Sequence, residues 1–333
     1  MNYKELAKTG ERISVIGLGC MGMSAAYGKA DDAESLATLK YALDIGINFW
    51  DTADIYGNGA NEELISKILV SNRDKIFIAT KFGFRLKGDQ GSAFVGGETY
   101  VDASPKWMRQ AVERSLNRLR IDTIDLYYVH RVDPTIPIEE TVGAMAQLVS
   151  EGKVRYLGLS ECTAEDLNKA YAVHPITALQ SEYSLLTRDV EKEILPLAKD
   201  LGVTFVPFAP LSRGLITNKL DVGSLVSSDF RKNLPRYQGE HLENNQKLSA
   251  AFAEYAEGKN CTPAQLAIAW VMAQGDNIIP IPGTKRRNYL EENAGAADVV
   301  LNETDLEAIE AITRKYPNIG PRYSARENKF LKK

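Results

Sequence analysis

The sequence predicts a single (β/α)8 TIM barrel with long loops over the mouth formed by the carboxyl ends of its strands. Three observations lead there. Short, near-continuous apolar runs alternate with stretches of helical period, the alternation recurs eight times, and no linker-like composition divides the 333 residues. Apolar strands separated by amphipathic helices call for a parallel sheet covered on its outer face. Eight such units favour closure into a barrel over an open sheet. The expectation is one domain over 1–333, ending in a polar tail from about 316.

The elements follow in order. Ile13 to Gly19 reads as the first barrel strand, and Asp31 to Leu43 as a helix on Leu36, Leu39 and Leu43. A strand from Ile45 to Trp50 runs into Asp51, and a helix from Ala60 to Val70 takes Asn61 as its cap. The strand from Ile76 ends at Lys81, followed by a glycine-rich insertion, Phe82 to Ala103. Ser104-Pro105 opens a helix reaching Leu119. Ile124 to Val129 runs into His130, and the helix Ile138 to Ser150 is closed by Gly152. Val154 to Leu159 ends in Ser160-Glu161, with Thr163 capping the next helix. Ile176 to Leu179 ends at Gln180, before a helix from Asp189 to Leu201. Val203 to Val206 ends at Pro207-Phe208, and a second long loop spans Ser212 to His241. Helices from Glu243 to Glu257 and Thr262 to Gln274 precede a last strand, Asn277 to Ile281, that ends in Pro282-Gly283-Thr284-Lys285. Helices from Arg287 to Ala296 and Thr304 to Lys315 complete the chain.

Composition narrows the function. A net charge of −4 and a pI near 5.6 lack the basic face that nucleic acid requires. Cys20, Cys162 and Cys261 match no zinc or disulfide spacing, and three scattered histidines build no metal cluster. Free thiols suit a reducing compartment, and no apolar run reaches signal-core or membrane-spanning length. The expectation is a cytoplasmic protein with no membrane, nucleic-acid or metal partner, monomeric or weakly homo-oligomeric.

The strand ends carry the chemistry. In order they are Gly19, Asp51, Lys81, His130, Ser160, Gln180, Phe208 and Gly283. Asp51, Lys81 and His130 close three successive strands, and Tyr56 sits on the loop above Asp51. A phenol ordinarily titrates near ~10. An adjacent ammonium stabilises its phenolate, and a carboxylate holds the ammonium in place. Asp51 and Lys81 form such a pair, with Tyr56 as tuned proton donor and His130 orienting a substrate oxygen. The set suits a carbonyl that becomes an alkoxide and must be protonated at once.

These four residues, with Gly-Ile-Asn-Phe-Trp-Asp-Thr-Ala-Asp-Ile-Tyr-Gly around the first two, resemble the aldo-keto reductase superfamily. Gly158-Leu-Ser160, Gln180-Ser-Glu-Tyr-Ser184, Ala209-Pro-Leu-Ser-Arg-Gly214 and Ile281-Pro-Gly-Thr284 match its later blocks, and Gly-Leu-Gly-Cys-Met-Gly-Met is similar to its microbial, fungal and plant branch. The resemblance implies NADPH/NADP+ bound across the mouth without a Rossmann domain, and a small carbonyl substrate. It assigns cofactor contacts to Gly19, Cys20, Met21, Asp51, Ser160, Gln180, Phe208, Ala209, Leu211, Arg213, Gly214, Gly283, Thr284, Glu292 and Asn293. The glycines of the first strand are expected to admit the cofactor ribose. Glu161 stands where many members carry asparagine. Lys285-Arg286-Arg287 at a helix start reads as a site for the 2′-phosphate that separates NADPH from NADH.

Phe82, Phe84, Trp107, Arg131 and Tyr237 are candidate lining residues of the substrate pocket. Two rival readings remain. Lys81 would serve a Schiff-base lyase if it were neutral, and some relatives act as non-catalytic nicotinamide-sensing subunits of channels.

Overall fold

A computed structural model describes residues 1–24, 26–28, 30–88 and 97–324. Seven parallel strands form one sheet, in the spatial order Leu18–Gly19, Phe49–Asp51, Phe77–Phe82, Ile124–Val129, Val154–Ser160, Ala178–Glu182 and Thr204–Phe208. The predicted eighth strand closes the ring through bridges alone. Ile278 and Ile281 pair with Phe205 and Phe208 on one side, and Gly283 pairs with Gly19 on the other. Helices cover the outside, and the sequence-predicted TIM barrel is the observed fold.

The first strand differs from the sequence reading. Ile13 to Gly19 does not form one strand: Arg12–Ser14 pairs antiparallel with Tyr3–Glu5, leaving only Leu18–Gly19 for the barrel. Ser14 breaks the run, its hydroxyl donating to the Ile16 carbonyl and its amide to Asn48 Oδ1. The hairpin places Leu6 and Ile13 against Phe49, Phe77 and Ala178 at the starts of the strands, plugging that end. Packing already requires glycine at Gly17 and Gly19. A Cβ on Gly17 would stand 2.7 Å from the Phe49 ring, and one on Gly19 would stand 2.9 Å from the Ile281 carbonyl oxygen.

Capping follows the sequence at most helices. Ser104 accepts from the Trp107 amide ahead of Pro105, and Thr163 and Thr262 each form reciprocal caps with Asp166 and Gln265. Asn61 does not cap. Gly59, at φ 96°, takes that position, and Asn61 lies buried inside Ala60–Leu69. Its amide instead accepts from Thr52 Oγ1 and donates to the Cys20 carbonyl, tying two strand ends together. The predicted helix from Asp189 begins only at Ile194. Pro196 lacks an amide proton and its ring excludes the carbonyl four residues back. It is therefore tolerated in the first turn of a helix that starts at Ile194 but not in the interior of one that starts at Asp189.

In the insertion after Lys81, Phe84–Leu86 pairs with Thr99–Val101, while 89–96 lie outside the described residues. The tail is not a free polar segment as far as 324: Tyr316, Ile319 and Tyr323 pack on the core. Residues 325–333 also lie outside the described set. Among the described residues no helix is long and apolar enough to cross a membrane.

Candidate active site

Strand register brings the four predicted groups together. Asp51 and Lys81 end neighbouring strands paired with Asp51 opposite Ala79, and Lys81 lies opposite Tyr128, two residues before His130. The turn after Tyr56 is built for close packing: Gly57, Asn58 and Gly59 are all left-handed, and a Cβ on Gly59 would meet Arg118 at 2.6 Å. Lys81 Nζ then lies 5.3 Å from the centre of the Tyr56 ring, and the Tyr56 and His130 rings meet edge to face at 5.9 Å.

Lys81 is completely buried. Its ammonium donates to Asp51 Oδ1 and, at 2.8 Å, to the Thr52 carbonyl. Asp51 Oδ2 accepts from Gln180 Nε2 at 2.8 Å. Burial pushes the Asp51 carboxyl up, against the pull of Lys81 and Gln180, and pushes the Lys81 ammonium down against the pull of Asp51. Of the pair, Asp51 is the member that acts on the Tyr56 phenol. The phenol consequently sits well above its ordinary value, raised by burial and then by Asp51. This is opposite to the expected acidic phenol, because burial of the hydroxyl outweighs the cations around it. Among the cations, Arg131 is the main one drawing the phenol down. His130 is held well below its ordinary value by burial, Arg131 and Lys81, so its imidazole is neutral; its Nδ1 is buried without a partner.

One cavity of about 820 Å³ reaches from this cluster to the turn after the last strand. Gly19, Met21, Asp51, Tyr56, His130, Ser160, Gln180, Phe208, Ala209, Leu211, Arg213, Gly214, Gly283, Thr284, Lys285, Arg286, Glu292 and Asn293 all line it. Cys20 does not; its amide donates to the Asp51 carbonyl, and its thiol is buried. Of the candidate substrate-pocket residues, Phe84 and Arg131 line the cavity. Phe82 instead stacks on Tyr127 in the core, Trp107 lies between Arg85 and Arg114, and the Tyr237 hydroxyl donates to the Ser212 carbonyl.

Several candidate contacts are already occupied within the chain. Gln180 gives its amide nitrogen to Asp51. Arg213 is paired with Glu182 and donates to the Tyr323 hydroxyl at 3.0 Å. Glu292 is paired with Lys219 from the long loop at 2.8 Å. In the basic turn, Arg287 is neutralised by Glu34 at 3.0 Å, and Lys285 Nζ donates to the Tyr27 carbonyl at 2.7 Å. Arg286 has its guanidinium 5.7 Å from the Tyr289 ring. Glu161 does not face the cavity as an amide ligand would; it is bound by Arg322 and accepts from the Glu182 amide.

The residues fit a dinucleotide. Ala209, Ser212, Arg213 and Gly214 are all left-handed, a strained run of the kind that recurs at ligand clamps. Lys285 and Arg286 close the far end, and buried polar atoms without partners, His130 Nδ1 and Arg131 Nε, lie at the near end. Residues missed from sequence include Tyr323 and Tyr27, which line the cavity, and Glu182, Arg236 and Arg322, which join the already singled-out Glu161 and Arg213 in a glutamate–arginine cluster. Nothing periodic marks them.

The family model described as Aldo/keto reductase family matches residues 15–314. The chain is 44% identical over 307 residues to Probable aldo-keto reductase 1 of Glycine max, covering 92% of this chain and 87% of that one. It is 41% identical over 319 residues to the NADP(+) aldo-keto reductase yakc of Schizosaccharomyces pombe, covering 94% and 92%. Among solved structures, the glycerol dehydrogenase AKR11B4 from Gluconobacter oxydans superposes with a TM-score of 0.87 at 29% identity, over 96% of this chain and 97% of that one.

Proposed function

Because this chain belongs to the aldo/keto reductase family, we propose that it reduces aldehydes and ketones to alcohols with NADPH, Tyr56 delivering the proton. The observation that carries this reading is the convergence of Tyr56, Lys81, Asp51 and His130 at one end of a cavity whose other end is cationic.

NADPH, when bound, supplies the hydride that reaches the carbonyl carbon. The chain's residues do the rest. Neutral His130 orients the carbonyl oxygen toward the Tyr56 hydroxyl. Tyr56, held protonated across the neutral range, gives its proton to the oxygen as negative charge develops there. Lys81, fixed by Asp51 and the Thr52 carbonyl, stabilises the phenolate that remains. Ser160 and Gln180 would hold the carboxamide, Phe208 the nicotinamide face, and Lys285 with Arg286 the 2′-phosphate. A small carbonyl compound would enter beside Phe84 and Tyr323. A Schiff-base role for Lys81 fails on access, since the amine is wholly buried in its pair with Asp51.

The test is NADPH binding by fluorescence titration, then NADPH oxidation with a panel of aliphatic and aromatic aldehydes. Saturable binding with turnover of at least one class is the expected result. Binding without turnover of any aldehyde or ketone would overturn it and favour a sensing role.

A further inference from the structure

We infer that Arg131 selects the substrate, and that the preferred carbonyl compounds carry a carboxylate a short distance from the carbonyl; the inference rests on the reductase reading above.

Arg131 follows His130 directly and lines the cavity while only 8% exposed. Its guanidinium lies 5.5 Å from the centre of the Phe84 ring, which itself meets the His130 ring at 4.9 Å. The cation is thus one aromatic ring away from the place where the carbonyl oxygen must sit. Its hydrogen-bond partners among the described residues are all neutral. Nη1 donates to the His130 carbonyl at 2.6 Å and to Ser160 Oγ at 3.3 Å, and Nε is buried with none.

The arginines around it are treated differently. Arg213, Arg236 and Arg322 each reach Glu182, and Arg322 also takes Glu161. Glu161, the carboxylate that feels the Arg131 charge, is already claimed by that stronger partner. Among the described residues Arg131 makes no salt bridge. A buried guanidinium without a carboxylate is costly to the fold, and a ligand that supplies one recovers the cost on binding. The planar fork matches a carboxylate through two parallel hydrogen bonds. A neutral substrate leaves the charge uncompensated, and unpaired polar groups discriminate more sharply than apolar pockets do. The Arg131 charge also draws down the Tyr56 phenol and the His130 imidazole, consistent with its nearness to the reacting atoms.

The experiment compares kcat/KM, at saturating NADPH, for acid and ester pairs: glyoxylate with ethyl glyoxylate, phenylglyoxylate with its methyl ester, and para-carboxybenzaldehyde with its methyl ester. The wild-type protein should favour the acid of at least one pair by about tenfold or more. Arg131→Met should bring that ratio to about one or below, mainly through the KM of the acid, and Arg131→Lys should restore part of it. Esters reduced as well as or better than acids by the wild type would overturn the inference while leaving the reductase reading intact. An equal loss for both members in Arg131→Met, with a raised KM for NADPH, would also overturn it, assigning Arg131 to Ser160 and the cofactor. Turnover of no carbonyl compound at all would remove the reductase reading and this inference with it. Should Arg131→Met fail to fold, the wild-type ratio and competitive inhibition of ester reduction by benzoate decide without it.

Discussion

Glu161 and Arg322 meet across 161 positions of sequence, the guanidinium donating to both carboxylate oxygens while its Nε reaches Glu182 Oε2 at 2.8 Å. Arg322 thereby clamps the ends of two adjacent strands to the segment after the last helix. The same guanidinium lies 5.6 Å from the centre of the Phe208 ring. Glu161 is therefore a tether, its carboxylate holding the tail through Arg322.

That tether predicts strong coupling. Removing one member of a buried pair leaves the other charge uncompensated, at a cost of about 3–5 kcal/mol. Arg322→Gln should therefore lower the melting temperature and raise amide exchange across 316–324. A double-mutant cycle with Glu161→Gln should return a coupling of roughly 0.5–3 kcal/mol. Additive single effects would mean that the tail is held by its aromatic packing instead.

Glu182 gives a pH dependence with a definite sign. Burial alone raises its carboxyl, but Arg213, Arg322 and Arg236 together outweigh burial and hold it down at about 2, from 4.5. A carboxylate depressed in the folded state contributes stability that is present above its unfolded value and is lost as pH falls toward its folded value. The wild-type stability should therefore fall between about pH 4.5 and pH 2 by an amount on the order of 3 kcal/mol from this group. In Glu182→Gln that component should vanish from the denaturant-derived stability profile, beneath a lower overall stability. An unchanged acid limb in the variant would place the titration elsewhere.

How much of this was legible follows from what sequence can carry. Asp51, Lys81 and His130 stood out because each interrupts an apolar run, and strand polarity sends every such end to one mouth. Ser104-Pro105, Thr163 and Thr262 were readable because capping acts over three residues. Arg322 was not, since an ion pair between distant segments leaves no period or spacing. The hairpin at Arg12–Ser14 was hidden for another reason: Ile13 to Leu18 is apolar apart from Ser14, and only that side chain shows where the strand ends. Asn61 misled because asparagine beside a helix start reads as a cap, whereas glycine at φ 96° had taken that position. The acidity of Tyr56 was misjudged because the sequence shows a lysine nearby but not how deeply the phenol is buried.

Tyr56→Phe separates chemistry from binding. The variant should bind NADPH as the wild type does and lose roughly 10²–10⁴ in kcat, the contribution of a placed proton donor. With the phenol raised above 10.0 and His130 pushed well below 6.5, neither group titrates between those values. The wild-type kcat should accordingly be flat through neutral pH, with no acid limb near 6.5. Such a limb would mean that His130 is protonated in the working enzyme.

The basic turn predicts which cations set cofactor preference. Arg287 spends its charge on Glu34, which also accepts from the amide at the helix start. The proposed contacts to a 2′-phosphate are Lys285, which also donates to the Tyr27 carbonyl, and Arg286, which lies beside Tyr289. Lys285→Ala with Arg286→Ala should raise the KM for NADPH by an order of magnitude or more while moving that for NADH little, since two charge-assisted hydrogen bonds are lost only with the phosphate. Arg287→Ala should leave the preference in place and cost only the modest worth of an exposed ion pair. Equal effects on the two cofactors would remove the phosphate from this turn, whereas a selective loss in Arg287→Ala would mean that Glu34 yields its partner when the cofactor arrives.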